Sequence, residues 1–289
     1  MGFATYDDLI SELTAGKSLP LPWQKNHTTA PVAGNWYHLW PVGGQPTGGA
    51  LYTGTALNFQ RTINTTTGAL YHGGNQSPDT KHLTIVQAVA SAGSPPPILM
   101  LVDQVGYYPL TQSISSQTFV NTTAPDRYVG AGEGGLRVSL VNGALGGATA
   151  SNITVLTYVD QDGNAGATMP TTPAVAVTIS AALPTATLGS RVLTTVAGPC
   201  LPLAAGDSGV RSLTNITFSA ANTGLEALVL VRPLCYIPCP SANVPAERDL
   251  VMQLASLPRV FDAACPMWMV FFPAATAATL SGIATVAWG

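Results

Sequence analysis

The segment Gly206-Asp207-Ser208-Gly209 has the residue pattern that surrounds the nucleophilic serine of chymotrypsin-like proteases. Val210 follows it, whereas those enzymes have another glycine at that place. A triad also needs a histidine base, and no histidine of this chain stands in the Ala-His-Cys setting of those proteases; the four are His27, His38, His72 and His82. Because Gly and Asp favour turns, we predict a turn at 204–212, no catalytic residue and no enzymatic activity.

A second polar cluster, Asp160-Gln161-Asp162-Gly163-Asn164, groups oxygen atoms on a tight turn, as a calcium site requires. It lacks the spaced third ligand and the bidentate glutamate of an EF-hand, and Asp-Gly is a strong hairpin signal. The glycine-rich run 132–135 is followed by no lysine and opens no helix, as a phosphate loop would. We predict a hairpin at 158–163, and neither a metal nor a cofactor.

Four cysteines fall in the C-terminal third and lack the paired C-x-x-C spacing of a zinc ribbon; they are Cys200, Cys235, Cys239 and Cys265. Free thiols packed as small apolar side chains are favoured over a disulfide or a metal site. Six Asn-X-Ser/Thr triplets would be glycan sites in a secreted protein. Since Asp7, Asp8 and Glu12 occupy the place of a signal peptide, we expect synthesis in a cytoplasm and no glycosylation.

The chain is poor in charge: 9% of its 289 residues are Asp, Glu, Lys or Arg, against roughly 25% in ordinary domains. The stretches 163–190 and 263–289 have no charged side chain. Mean hydropathy is positive (+0.28), but no apolar run reaches the length of a membrane span. The net charge of −3 offers no basic face for nucleic acid. We therefore expect a surface covered by copies of the chain or by other proteins.

Abundant Gly, Pro, Thr and Val, with few Lys or Glu, indicate an all-β protein. A helix is predicted at 5–15, where Thr5 can cap and Leu9, Ile10 and Leu13 form an apolar stripe. The strand candidates are 83–90, 98–102, 116–120, 136–141, 153–159, 174–179, 216–220, 225–231, 267–272 and 282–288. About ten strands fit a β-sandwich of jelly-roll type over 55–289, or two smaller sandwiches divided near 169–190.

The segment 19–54 is rich in Pro, Gly and aromatic residues and has little periodicity. We predict that residues 1–54 comprise a helix and an extended arm. Such an arm would be ordered by inserting aromatic anchors into a neighbouring subunit; the candidate interface residues are Trp23, Trp36, Tyr37 and Trp40. Stacking of Trp36, Tyr37 and Trp40 on sugars is the alternative.

Short segments along nearly the whole chain together resemble a family of tailed-bacteriophage virion proteins. They are TYDDLISELTAGK at 5–17, GNWYHLWPVGGQPTGG at 34–49, YVDQDG at 158–163, GDSGVRSLTNITFS at 206–219, VRPL at 231–234, LPRVFDAAC at 257–265 and AWG at 287–289. The resemblance implies no catalytic residues. Relatives have Asp-Arg-Leu where this chain has Asp103-Gln104-Val105, which puts a salt bridge of Asp103 in doubt.

The resemblance implies a virion structural protein, in the first instance a capsid decoration or cement subunit on β-sandwich architecture. Its partners would be the major capsid protein or other virion proteins, and its own copies. A trimer is favoured because decoration proteins commonly sit on threefold axes of a shell. The alternative is a head-fibre or tail component that binds host glycans. Neither nucleic acid nor a membrane is an expected partner.

Overall fold

A computed structural model of the chain describes residues 2–130, 132–145, 151–170, 175–177, 184–193, 198–221, 225–253 and 257–289. Strands make up 46% of the structure and helices 5%. Every ladder between strands is antiparallel, which confirms the all-β prediction. No helix among these residues is long and apolar enough to span a membrane.

The elements follow one another in a simple order. They are α1 (Tyr6–Thr14), β1 (Ser18–His27), β2 (Asn35–His38), β3 (Gly44–Gln45), β4 (Gln60–Arg61), β5 (Lys81–Ala90), β6 (Ile98–Pro109), β7 (Ser116–Thr118), β8 (Arg137–Leu145), β9 (Ser151–Asp160), β10 (Ala165–Thr168), β11 (Val175–Val177), β12 (Ser190–Arg191), β13 (Val210–Phe218), β14 (Leu225–Pro238), β15 (Ala246–Asp249), α2 (Leu250–Gln253), β16 (Arg259–Val260), β17 (Pro266–Phe272) and β18 (Ala278–Trp288).

These strands form three sheets. The first has the order β15-β5-β18-β1-β3, with β16 also on β5. The second has the order β12-β2-β17-β6-β14-β8, with β4 also on β6, and the third has the order β10-β9-β13-β7, with β11 also on β9. In the second sheet β6 (ILMLVDQVGYYP) is buried along nearly its whole length, as expected of a continuous apolar run covered on both faces.

Three hydrophobic clusters hold the sheets together. The first lies between the first and second sheets and includes Leu83, Leu101 and Trp268. The second joins the other end of β6 and β14 to the third sheet and includes Tyr108 and Ile216. The third contains alternate residues of the second sheet with aromatic residues from the segment that follows β2. The long strands β6 and β14 thus contribute to all three clusters and make the second sheet the centre of a sandwich-like packing.

The N-terminal helix is confirmed. Thr5 caps α1 by accepting from the amide of Asp8, and the Asp8 carboxylate accepts in return from the amide of Thr5. This reciprocal capping box satisfies two donors that the first turn would otherwise leave unpaired.

The extended arm is not what the structure shows. β1 pairs along its whole length with β18, from Ser18 opposite Ala287 to His27 opposite Ala278. Trp23, Tyr37 and Trp40 are buried, at 3%, 1% and 4% exposure. The Trp23 ring lies 4.1 Å from that of Trp268, so the aromatic residues fill the chain's own core and not a neighbour's.

Trp36 is half-buried and packs against Phe271 of the adjacent strand. Residues 18–45 therefore supply strands to two sheets, and the division of the chain at residue 54 has no counterpart in the fold. Within the alternative division near 169–190, residues 171–174 and 178–183 lie outside the described residues.

The charge-free stretch 263–289 forms β17 and β18, each of which lies between two other strands. Burial in its own fold is thus enough to account for its lack of charge. In the other charge-free stretch, 163–190, residues 171–174 and 178–183 lie outside the described residues.

Two fully buried histidines give the fold a dependence on pH. Burial lowers the pKa of His27 to about 4 and that of His38 to about 3. An unfolded histidine has a pKa of about 6.5, so below that pH the unfolded state binds protons that the folded state does not. We expect the contribution of these two residues to stability to be nearly constant above about pH 7.5 and to fall below it, by about 4 kcal/mol at pH 5 for the two residues together.

Urea unfolding of the wild type and of a His27→Gln/His38→Gln variant at pH 7.5 and pH 5 tests this. The loss of stability between the two pH values should be clearly smaller in the variant, whatever its stability at pH 7.5. An equal loss in both proteins would contradict the assignment.

Candidate binding groove

The protease-like segment is a loop before β13, and its glycines have structural roles. Gly206 has φ +96°, a conformation that favours glycine. A Cβ atom on Gly209 would lie 2.3 Å from the carbonyl oxygen of Gly134, because the two glycine-rich loops touch through their backbones. The amides of Ser208 and Gly209 donate to Gln161, and the Ser208 hydroxyl donates to the carbonyl of Gly134 at 3.4 Å. None of the described contacts of Ser208 involves a histidine.

We therefore expect Ser208 to be chemically inert. A fluorophosphonate probe should fail to label the purified protein while it labels a serine hydrolase in the same gel. Labelling of the wild type that disappears in Ser208→Ala would reverse this expectation.

The candidate calcium loop forms the tight turn between β9 and β10. One carboxylate oxygen of Asp160 accepts from the amides of Asp162 and Asn164, each at 2.8 Å, and the other accepts from the Asn164 side chain at 2.8 Å. Since these hydrogen bonds favour the ionised form, they hold the pKa of Asp160 below its usual value, the side-chain bond from Asn164 most of all. The carboxylate thus closes the hairpin.

The cysteines are free thiols. Burial raises the pKa of Cys235 and of Cys239 to about 11, so both remain protonated at neutral pH. Within the described ranges, no three His, Cys, Asp or Glu side chains are grouped so that they could hold a metal.

Six of the 25 charged side chains are buried inside the fold; they are Lys25, Lys81, Asp103, Arg127, Asp160 and Glu226. Asp103 forms a bidentate pair with Arg127 from another segment, at 2.6 and 2.8 Å. This corrects the doubt about a salt bridge of Asp103: the partner is not its neighbour in sequence. Lys81 pairs with Asp262 at 3.0 Å, and Lys25 donates to the carbonyls of Val42 and Pro46.

An exposed site of a different kind follows one edge of β14. The pairing of β14 with β8 ends at Val231, whereas its pairing with β6 continues to Pro238. Three adjoining clefts, of about 490, 400 and 240 Å³, lie along residues 232–236 of this edge. We call them together the β14 groove.

Four arginines line the β14 groove; they are Arg137, Arg232, Arg248 and Arg259. In the described chain none of them forms an ion pair with a carboxylate. The carboxylate that lines the groove, Glu133, accepts from the amide of Gly130 in its own loop. In a protein with net charge −3, the groove therefore has a local excess of positive charge, four arginines against the one carboxylate of Glu133.

Contacts with the chain fix the position of these arginines. Arg232 lies 5.6 Å from the centre of the Tyr128 ring and donates to the carbonyl of Gly135 at 2.9 Å. Arg259 lies 4.1 Å from the centre of the Phe261 ring. Arg248 donates to the carbonyl of Tyr236 on the open edge of β14. Since the guanidinium groups cover these two ring faces, the groove is suited to carboxylates more than to stacking sugars.

A second unpartnered surface lies on α1. Of its apolar residues, Leu9 is buried, whereas Tyr6, Ile10 and Leu13 are 59%, 47% and 40% exposed. Their spacing places these three side chains on one stripe of the helix, and Asp7 lies beside it. An amphipathic helix whose apolar stripe faces solvent is typical of an element that packs on another protein.

The sequence predicts the helix and two residues of its exposed stripe, Ile10 and Leu13, but it places the buried Leu9 on that stripe in place of Tyr6, and it does not predict the groove. The four arginines come from residues 137–259 and have no common motif, so only the pairing of distant strands brings them together. Comparisons of the chain with protein-family models, with curated proteins and with solved structures found no match.

Proposed function

We propose that the protein is a non-enzymatic structural subunit of a tailed-bacteriophage virion, and specifically a decoration or cement subunit of the capsid. The observation that carries this proposal is a contrast between the polar sequence motifs and two surfaces of the fold. Those with catalytic or metal-binding patterns are engaged in turns and in the core, whereas the β14 groove and the α1 stripe remain unpartnered. Surfaces of the latter kind bind other polypeptides.

The virion assignment is supported by the sequence segments distributed from residue 5 to residue 289, and the sandwich-like packing of antiparallel sheets is compatible with it. A jelly-roll relationship among the strands belongs to the same proposal. The subunit would act mechanically, since each contact buries apolar area worth about 25 cal/mol per Å², less the cost of ordering the surfaces. Contacts repeated around a shell add together.

The glycan-binding alternative has less support. It depended on Trp36, Tyr37 and Trp40, and the last two are buried. The test is an electron-microscopy map of intact particles from a phage that encodes the chain. Density for this fold on the outside of the shell, in contact with the major capsid protein, is the expected result. Density confined to fibres or tail, or absence of the chain from particles, would reject the decoration role.

A further inference from the structure

We propose that α1 of one copy docks into the β14 groove of a second copy. This inference rests on the proposed function in that it names a contact through which such subunits would assemble. It assigns an occupant to the groove and a partner to the exposed stripe of α1.

Charge is the first argument for this pairing. α1 has three acidic residues, Asp7, Asp8 and Glu12, and no basic residue in its last turn. Asp8 is engaged in the capping box and Glu12 pairs with Lys17, but Asp7 beside the apolar stripe forms no ion pair in the described chain. The groove offers four arginines without carboxylate partners, and guanidinium groups bind carboxylates bidentately.

Shape and hydrophobicity are the second argument. The nine residues of α1 make a helix about 13 Å long, and the five groove-lining residues of β14 span about 16 Å. Apolar side chains line the same cleft as Arg232 and Arg259, among them Leu234, Leu257 and Phe261. The outward stripe of Tyr6, Ile10 and Leu13 would cover such a surface, in the manner of an amphipathic helix in a groove.

Addition of a strand to the open edge of β14 is a poorer alternative. Pro233 and Pro238 lie on that edge and have no amide hydrogen, and Arg248 already occupies the carbonyl of Tyr236. Prolines and charged side chains of this kind discourage strand pairing. A helix needs no backbone partner from the edge.

The contact joins two different surfaces and is therefore heterologous, so successive copies form a ring if the rotation closes. A trimeric ring agrees with the oligomer expected from the sequence resemblance. Because the two surfaces differ, they can be tested separately: one variant has substitutions in the groove and an unchanged α1, and the other has substitutions in α1 and an unchanged groove.

The groove variant is Arg248→Glu/Arg259→Glu, and the helix variant is Asp7→Lys/Ile10→Lys; all four side chains are exposed. In sedimentation velocity at micromolar concentration the wild type should be an oligomer. Each variant alone should be a monomer, with association weakened by about tenfold or more. An equimolar mixture should form a one-to-one dimer, because the intact helix of one variant meets the intact groove of the other.

Circular dichroism and thermal unfolding should show that both variants remain folded, and Arg61→Glu, at an exposed residue that does not line the groove, should assemble as the wild type does. A monomeric wild type, unaltered assembly of the groove variant, or a mixture that stays monomeric would overturn the inference. Self-association by a protein absent from particles would reject the proposed function and leave this inference standing. A chain that is present in particles but monomeric in solution would support the proposed function and reject this inference.

Discussion

Deletion of residues 2–54 is expected to abolish folding. The deletion removes β1, β2 and β3, and with them a strand that pairs with β18 over ten residues and a strand that pairs with β17. It also removes Trp23, Tyr37 and Trp40 from the core. Truncating one buried aromatic side chain to alanine costs about 3–5 kcal/mol, whereas a whole domain has a stability of about 5–15 kcal/mol. Circular dichroism and limited proteolysis of the truncated protein measure the outcome.

Deletion of residues 2–14 is the matched control. It removes α1, whose buried hydrophobic residue is Leu9, and leaves every strand in place. This shorter truncation should keep the strand signal and a cooperative thermal transition. If the protein without residues 2–54 also unfolded cooperatively with the native strand content, residues 18–45 would be an arm after all, and the sheet pairing described here would be wrong.

The misreading of this segment has a physical cause. β1 buries alternate residues, Leu21, Trp23, Lys25 and His27, but two of them are polar, so the usual hydrophobic alternation of a strand is broken. Pro20 and Pro22 flank Leu21 and argue against a central strand. In the structure β3 pairs with β1 only at Gln24 and Lys25, so both prolines lie where β1 has a partner on one side. The amide of Asn26 points away from β18, to the carbonyl of Gly43, and by the alternation of an antiparallel ladder the nitrogens of Pro22 and Pro20 face the same way, so no bond to β18 is lost.

Local signals were more reliable. The helix at 5–15, the hairpin at 158–163 and strands within 83–90, 98–102, 153–159 and 267–272 all have counterparts in the structure. Each has a pattern contained in ten or so residues, such as a capping box, an Asp-Gly turn or a β-branched apolar run. The β14 groove has no such local pattern, because its position depends on where β8 stops pairing with β14 and on which loops reach the exposed edge.

Replacement of Asp103 by asparagine is expected to be the most destabilising single polar substitution in the chain. The Asp103 carboxylate accepts from Arg127 through two bonds, at 2.6 and 2.8 Å, and from the amide of Cys265 at 2.7 Å. Although burial disfavours a charged guanidinium, the hydrogen bonds and charge of Asp103 raise the pKa of Arg127 above its ordinary value. Asparagine would remove the buried counter-charge of that cation and leave it only the partly exposed Asp126, which pairs with it at 2.9 Å, at a cost of about 3–5 kcal/mol.

Urea unfolding at pH 7.5 measures the loss, and Asp79→Asn is the control. Asp79 pairs with Lys17 at 2.8 Å in a partly exposed position, where a salt bridge contributes about 0–1 kcal/mol. A comparable loss in the two variants would show that the Asp103 pair has no special role in stability.

The double variant Asp103→Leu/Arg127→Met separates the value of the pair from the cost of breaking it. Both charges disappear together, so no uncompensated ion remains in the core, and buried pairs replaced by apolar side chains of similar volume are often neutral or even stabilising. Arg127 also donates to the carbonyls of Thr62 and Gln104. The Gln104 carbonyl keeps the Thr62 hydroxyl as a donor, whereas the Thr62 carbonyl would lose one at a cost of about 1–3 kcal/mol if left unpaired. We therefore expect the double variant to be more stable than Asp103→Asn and less stable than the wild type. A double variant less stable than the single one would mean that Arg127 stabilises the core chiefly through those carbonyls, and not through its charge.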